Sequence, residues 1–238
     1  MDKSLVKHFK VHSFQCDNKA KLSIPSVARF LQETAWEHAE NCGAGYHNLK
    51  PKGVLWILSA LKIKMYDYPG WDDNLKIHTW GRKYQSLFAF RDFELFDPDQ
   101  KLKGVATSSW LLVNSETHRP QRITSEYRLI PEVNENTGLE IEKIDNNGDF
   151  TLCTNRKVVF SDIDLYGHVN NARYIEWCID ALYDIQLNSD LRVKMMNIHF
   201  VSESFYGDFI DIYFLEKGDK IIFKGLKDDK EVFIAQLH

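Results

Sequence analysis

The sequence has few of the features that mark secreted, membrane-spanning or zinc-binding proteins. Its 238 residues include only four cysteines, which are widely separated and form no Cys-x-x-Cys pair. No apolar run approaches the ~20 residues that a membrane-spanning helix needs, and residues 1–8 lack the apolar core of a secretion signal. We therefore expect a reduced, soluble, cytoplasmic protein without a disulfide framework.

The sequence also lacks an excess of charge of either sign. It contains 30 Lys and Arg residues and 34 Asp and Glu residues, a formal net charge of −4, so no basic field recruits nucleic acid or an anionic membrane. It has no glycine-rich phosphate loop. What it does contain is 44% hydrophobic and 13% aromatic residues, which indicates a substantial core or a cavity lined by large side chains.

The order of predicted elements repeats once along the chain. A helix with one apolar stripe is predicted over residues 23–42, with Pro25 in its first turn and Gly43 as its stop, and a second over about residues 170–182. A short strand is predicted ahead of each helix, at residues 9–14 and 156–160. Two alternating strands follow each helix, at residues 61–65 and 75–80 and at residues 197–201 and 210–214.

Two further strands complete each half, at residues 88–96 and 104–113 and at residues 220–224 and 231–235. This order predicts an α+β fold of two tandem repeats, each a curved antiparallel sheet wrapped around a helix, with space for a long apolar ligand. The repeats would cover their exposed edges by forming one continuous sheet. We assign residues 1–123 and 151–238 to the repeats, and the polar, turn-rich residues 124–150 to a linker.

The residues just before the second helix carry chemical groups that the first half lacks. Residues 161–174 include acids, a glycine, His168 and two asparagines, whereas the matching residues 16–23 contain no histidine. A histidine can serve as an acid or a base near neutral pH, and the free amides at a helix start can polarise a carbonyl. Helix capping by Asp and Asn is the alternative interpretation of the same residues.

Several motifs carry a resemblance that spans nearly the whole chain. They include LQETA at residues 31–35, DYPGW at 67–71, ATSSW at 106–110 and SDIDLYGHVNNARYIEW at 161–177. With these motifs in this order, the chain resembles the acyl-acyl carrier protein thioesterases, fatty-acid-releasing enzymes of plants and bacteria. The resemblance implies the family's tandem hotdog fold, a double hotdog of two helix-in-sheet repeats.

Carried over by position, the resemblance places the family's catalytic residues on Asp164, His168 and Glu203. Our own hypothesis is that Asp164 orients the loop or His168 and tunes the charge of the imidazole. It implies hydrolysis of the thioester that joins a fatty acid to the phosphopantetheine arm of acyl carrier protein, which terminates fatty acid synthesis. Tyr166 stands where plant members have asparagine, and Ser204 stands where they often have cysteine. The second difference argues against an obligatory cysteine nucleophile.

We expect the acyl carbonyl to lie at the start of the second helix, held by backbone N–H groups of Val169, Asn170 and Asn171. Glu203 and His168 then position and deprotonate a water molecule. Direct attack by a carboxylate, which gives an anhydride, stays open. The resemblance also implies that the first half gauges the acyl chain, and the candidate pocket residues there are Phe30, Leu31, Trp36, Trp56, Ile57 and Leu58.

The expected partner is acyl carrier protein. We expect no metal ion and no cofactor bound by the chain, because the phosphopantetheine belongs to the substrate, and no nucleic-acid or membrane partner. A homodimer stays open, since the duplication already supplies a dimer-like unit. Two other functions fit the same residues: a hotdog thioesterase or dehydratase acting on acyl-coenzyme A, and a non-catalytic acyl-binding module in which the loop only caps the helix.

Overall fold

The structure is a computed structural model that describes residues 3–185 and 192–238. The chain divides into two compact units, unit 1 ending at Ile141 and unit 2 beginning at Glu142. In the described part of the chain, each unit contains one long helix and five antiparallel strands, which confirms the predicted α+β class with a repeated helix and sheet. Within the described ranges, no helix is both long and apolar enough to cross a bilayer.

Unit 1 is built on helix α1, Ile24–Asn41, which is followed by the one-turn helix α2, Tyr46–Leu49. The Ser23 hydroxyl caps α1 by accepting the N–H of Ser26, and Gly43, with φ of +71°, follows its end. The strands are β1 Ser4–Lys10, β2 Val54–Met65, β3 Asn74–Gln85, β4 Phe88–Phe96 and β5 Leu102–Asn114. They lie in the order β1-β3-β4-β5-β2, each antiparallel to its neighbours.

Unit 2 repeats this plan around helix α3, Asn171–Ile185. The Asn170 side chain caps α3 by accepting the N–H of Ala172 at 2.9 Å. The strands are β6 Thr151–Lys157, β7 Met195–Phe200, β8 Phe209–Lys217, β9 Lys220–Lys227 and β10 Lys230–Leu237. They lie in the order β7-β10-β9-β8-β6, again antiparallel throughout.

Aromatic contacts hold each long helix on its own sheet. In unit 1, Phe30 of α1 stacks on Phe9 of β1 with ring centroids 4.2 Å apart. In unit 2, Tyr174 of α3 packs against Phe200 of β7 at 5.9 Å and against Phe233 of β10 at 5.2 Å. Burying a side chain of this size contributes roughly 1.5–3 kcal/mol, so these contacts fix the helix that presents the site.

The predicted helices and hairpins are confirmed, but the strand predicted ahead of each helix is misplaced. The structure has β1 and β6 at Ser4–Lys10 and Thr151–Lys157, earlier than the predicted residues 9–14 and 156–160. The chain instead turns through short 3₁₀ helices at Ser13–Gln15 and Phe160–Asp162. In each turn the third residue's side chain, Gln15 or Asp162, accepts a backbone N–H three residues earlier, which ends the extended conformation.

The stretch predicted as a linker, residues 124–150, is described in full and forms no regular element beyond a 3₁₀ turn at Ser125–Tyr127. It is fastened to unit 1 by side chains of β3. The Tyr84 hydroxyl donates to the Ile130 carbonyl, the Trp80 indole N–H donates to the Glu135 carbonyl, and Arg82 pairs with Glu140 at 2.7 Å. The assigned boundaries of repeats and linker stay a prediction.

Candidate active site

A tight loop ahead of α3 carries His168. The Asp164 N–H donates to the His168 carbonyl at 2.9 Å, and the Gly167 N–H donates back to the Asp164 carbonyl at 3.0 Å. Gly167 has φ of +86°, a conformation that glycine adopts without a steric penalty. The Asp164 carboxylate accepts the Tyr166 N–H at 2.8 Å. The loop is therefore closed on itself, with the imidazole at its end.

A second segment, residues 203–205, brings a carboxylate to this loop. The Val169 N–H donates to the Ser204 carbonyl at 2.9 Å, which fixes the chain on both sides of the site. As a result, His168 Nε2 lies 3.4 Å from Glu203 Oε1, with the two side chains 17% and 25% exposed. The structure thus brings together the two groups that the sequence analysis assigned to water activation.

Burial sets the electrostatics around this pair. Desolvation raises the pKa of the Asp164 carboxyl above its ordinary value, although the Tyr166 N–H and the nearby imidazole oppose that rise. The Tyr174 hydroxyl, on α3 beneath the loop, has a pKa raised well above its ordinary value, again chiefly by burial. Tyr174 is therefore neutral at physiological pH, whereas Asp164 and His168 are ionisable groups of unit 2 that lie near Glu203.

Two aromatic rings flank the imidazole. The Tyr166 ring lies nearly parallel to the His168 ring, with centroids 6.3 Å apart and planes 10° apart. The Phe205 ring is perpendicular to it, at 5.7 Å and 87°. Sequence reasoning missed Phe205 because it sought titratable groups, although its position two residues after Glu203 is a signal that could have found it.

The predicted set of amide donors needs correction. The Val169 N–H is used by the Ser204 carbonyl, and the Asn170 N–H donates to the Asp162 carbonyl at 2.9 Å. Neither amide can therefore hold a substrate oxygen. In the part of the chain that the structure describes, the Asn171 N–H has no acceptor, as is usual for the first residue of a helix. The candidate oxyanion donor is reduced to Asn171 at the positive end of α3.

The candidate acyl-pocket residues lie on α1 and β2 of unit 1. Phe30, Leu31 and Leu58 are buried, at 7%, 1% and 5% exposure, and Trp36, Trp56 and Ile57 are partly buried. Trp56 packs against a cluster that contains Leu49, Val54, Leu112 and Ile123. Their role as a pocket wall stays a prediction.

Unit 1 contains a loop with the same backbone as the His168 loop. Asp17 accepts the N–H of Lys19 at 2.9 Å, as Asp164 accepts that of Tyr166, and the Asp17 N–H donates to the Lys21 carbonyl at 2.7 Å. The Leu22 N–H donates to the Pro69 carbonyl at 2.8 Å, the counterpart of the bond from Val169 to Ser204.

This correspondence pairs each site residue with a residue of unit 1. Lys21 is the counterpart of His168, Tyr68 of Glu203 and Lys19 of Tyr166, whereas aspartate is present in both loops. We call the unit 1 segment, residues 17–22, the silent loop. It retains the backbone of residues 164–169, which we call the active loop, but neither the imidazole nor the carboxylate of the His168–Glu203 pair.

Comparison with solved structures identifies the fold. The chain matches an acyl-ACP thioesterase from Bacteroides thetaiotaomicron with a TM-score of 0.88 and 26% identity, covering 99% of this chain and 97% of that one. It also matches a 12:0-ACP thioesterase from Umbellularia californica with a TM-score of 0.86 and 20% identity, covering 100% and 97%; this likeness concerns the fold alone. The protein is therefore a tandem hotdog protein.

Sequence comparison identifies the family. Models of the acyl-ACP thioesterase N-terminal and C-terminal domains match residues 2–130 and 146–232. Oleoyl-acyl carrier protein thioesterase 2, chloroplastic, of Arabidopsis thaliana is 26% identical over 228 residues, 87% of this chain and 62% of that protein. The chain thus spans less than two thirds of that relative's length. It belongs to the acyl-ACP thioesterase family.

Proposed function

We propose that the protein hydrolyses the thioester between a fatty acyl chain and the phosphopantetheine arm of acyl carrier protein, releasing a free fatty acid and so terminating chain synthesis. The observation that carries this proposal is the 3.4 Å approach of His168 Nε2 to Glu203 Oε1 in front of a helix start. Family membership supports the choice of a carrier-bound acyl thioester as substrate.

In the proposed mechanism, Glu203 and His168 hold a water molecule and remove its proton as its oxygen attacks the acyl carbon. General-base action of this kind typically contributes roughly 10²–10⁴-fold in rate. The carbonyl oxygen takes up negative charge and is stabilised by the Asn171 N–H and the positive end of α3. The C–S bond then breaks, and the proton held by the pair goes to the departing thiolate.

Asp164 acts on the loop in this scheme and does not contact the substrate. Its carboxylate accepts a loop N–H, and Asp17 makes the same bond in the silent loop, where no histidine or glutamate is available. An aspartate that recurs without the catalytic pair is needed by the turn. We therefore assign Asp164 to positioning the segment that carries His168.

Attack by the Glu203 carboxylate itself is the alternative route. It would form an acyl anhydride and release the thiol before water enters. A single turnover in ¹⁸O-labelled water can reveal the anhydride route. Attack of water at the protein carboxyl carbon of an anhydride leaves label on Glu203, whereas general-base hydrolysis places label only in the fatty acid.

The decisive experiment measures release of fatty acid from a panel of acyl carrier protein thioesters that differ in length and unsaturation, with the matching coenzyme A thioesters in parallel. We expect wild-type protein to prefer the carrier-bound substrates, and His168→Ala and Glu203→Gln to lower kcat by roughly 10²-fold or more. Lys21→Ala, which alters the counterpart position of the silent loop, is the matched control and should retain full activity.

Each contrary result has a defined meaning. Preference for coenzyme A thioesters, or formation of a dehydration product, would support the neighbouring hotdog enzymes instead. Acyl binding without turnover, unaffected by His168→Ala, would make the protein a binding module. Unchanged turnover in Glu203→Gln would contradict the general-base role.

A further inference from the structure

We propose that Tyr166 and Phe205 are positioning residues, whose rings hold the His168 imidazole in the orientation that directs Nε2 towards Glu203. The inference rests on the proposed function, because it concerns how that function's histidine is held. The inference also goes beyond the proposed function, since neither aromatic side chain is needed for the water-activation scheme itself.

The geometry of the three rings carries the first step. Both neighbours lie within the 4.5–7 Å centroid range of favourable aromatic contacts, one nearly parallel to the imidazole and one perpendicular to it. Rotation of the imidazole about either of its side-chain bonds would break at least one of these contacts. Together the two rings therefore restrict both torsions that set the direction of Nε2.

The residues that carry the two rings are tied to the chain around them. Tyr166 is held through its backbone N–H, which donates to Asp164. The Phe205 N–H donates to the Asp208 carboxylate at 2.8 Å, and Asp208 pairs with Lys227 at 2.9 Å. The Lys227 ammonium also lies 5.5 Å from the centre of the Phe205 ring, a cation–π arrangement. The Phe205 ring is restrained by this contact and can restrain the imidazole beside it, while the Tyr166 ring projects from a fixed backbone.

Comparison with the silent loop separates positioning from folding. There the counterpart of Tyr166 is Lys19, and the counterpart of Phe205 is Gly70, whose N–H donates to Asp73 at 2.6 Å as Phe205 donates to Asp208. The same turns therefore form without either aromatic side chain. The two rings occur beside the loop that has a histidine, and their counterparts beside the silent loop, which has none, are Lys19 and Gly70.

The catalytic benefit follows from the length of the His168–Glu203 contact. At 3.4 Å it is longer than the 2.7–2.9 Å of a strong charged hydrogen bond, so the imidazole is not held by Glu203 alone. Misplacement of a catalytic group by about 1 Å can lower the rate by roughly 10²-fold. Rings that limit this movement raise the fraction of molecules in which the pair is aligned on the water.

The test replaces each ring by an aliphatic side chain and then by a related aromatic one. Tyr166→Leu and Phe205→Leu should each lower kcat by about three- to tenfold, the range expected for losing one aromatic contact, with KM nearly unchanged. Tyr166→Phe and Phe205→Tyr should restore most of kcat. Equal losses in Tyr166→Leu and Tyr166→Phe would overturn the proposal, since the hydroxyl and not the ring would then be responsible.

A double-mutant comparison shows whether the rings act through the imidazole. In a His168→Gln background, Tyr166→Leu should produce no further loss, whereas a further loss of the same size would contradict the inference. The matched control is Lys19→Leu, which makes the same replacement in the silent loop and should leave kcat unchanged.

A measurement without substrate keeps this inference separate from the proposed function. In NMR spectra of the folded chain, ring currents from Tyr166 and Phe205 should shift the His168 ring protons, and each leucine variant should remove part of that shift. Unshifted His168 resonances in wild-type protein would refute the ring arrangement. If the His168 ring protons show these ring-current shifts but the protein hydrolyses no acyl thioester, the proposed function alone would be refuted.

Discussion

At the residue scale, the candidate site contains side chains that shape its loop and side chains to which we assign the reaction. Asp164 belongs to the first group, because Asp17 makes the same hydrogen bond in the silent loop. We assign His168 and Glu203 to the second, because Lys21 and Tyr68 stand at their positions where unit 1 has the same backbone. The two loops therefore share geometry and differ in chemistry.

This division predicts how Asp164 variants behave. Asp164→Asn keeps an oxygen that accepts the Tyr166 N–H and removes a buried charge, so the free energy of unfolding at pH 7 should equal or exceed that of wild type. Asp164→Ala loses the hydrogen bond and should lower that free energy by about 1 kcal/mol. Chemical denaturation of both variants measures the difference.

The pH dependence provides a second check on the same variants. Burial raises the pKa of Asp164, so the folded state binds that proton more tightly than the unfolded chain. Wild-type stability should therefore rise relative to Asp164→Asn as pH falls through the folded pKa towards ~3.9. An Asp164→Asn protein as unstable as Asp164→Ala at pH 7 would contradict this account.

At the element scale, helix boundaries were predictable and strand lengths were not. Capping residues, an early proline and a terminal glycine marked α1 in the sequence, and the structure has it at Ile24–Asn41. The predicted strands at residues 61–65 and 75–80 are only parts of β2 and β3. The pairing register shifts between Leu58 and Ala60 and between Gly81 and Lys83, and a bulge changes the phase of apolar alternation, so the pattern ends there.

The hydrogen bonding at the start of α3 leads to a prediction about the Asn171 amide. Proline is well tolerated at the first position of a helix, so Asn171→Pro should remove the only candidate donor at the helix start while α3 stays folded. We expect kcat to fall by roughly 10²-fold, the typical effect of losing an oxyanion donor. Asn171→Ala, which keeps the N–H, should retain activity.

Circular dichroism and acyl-thioester turnover check the two parts of that prediction. If Asn171→Pro folds and turns over substrate like Asn171→Ala, the amide does not stabilise the oxyanion. Loss of helical signal in the proline variant would instead show that the helix start cannot accept proline, against the structure.

At the scale of the whole molecule, the sequence predicts candidate groups for the site but not how the backbone uses them. The repeat could be predicted from the sequence, as could the chemical difference between its two copies, and that difference pointed to His168. The pairing of His168 with Glu203, and the use of the Val169 and Asn170 amides by carbonyls of Ser204 and Asp162, depend on long-range packing. Such hydrogen bonds have no signature in residue type or spacing.

The cysteines of the whole chain give a further prediction. Cys42 and Cys178 are buried, and burial raises the pKa of Cys16, Cys153 and Cys178, so their reactive thiolate forms are scarce at neutral pH. Brief treatment with iodoacetamide at pH 7 should therefore leave turnover intact. Mass spectrometry of native and denatured samples measures labelling, and inhibition prevented by substrate would point to a cysteine in the reaction.

The silent loop has one more consequence, for engineering. Its turn, its aspartate and its link to residue 69 are already formed, so side chains at positions 19 and 21 can be exchanged with little demand on the backbone. The chain thus contains a second loop with the same backbone, in which a reactive centre of different chemistry could be introduced without changing the His168–Glu203 site.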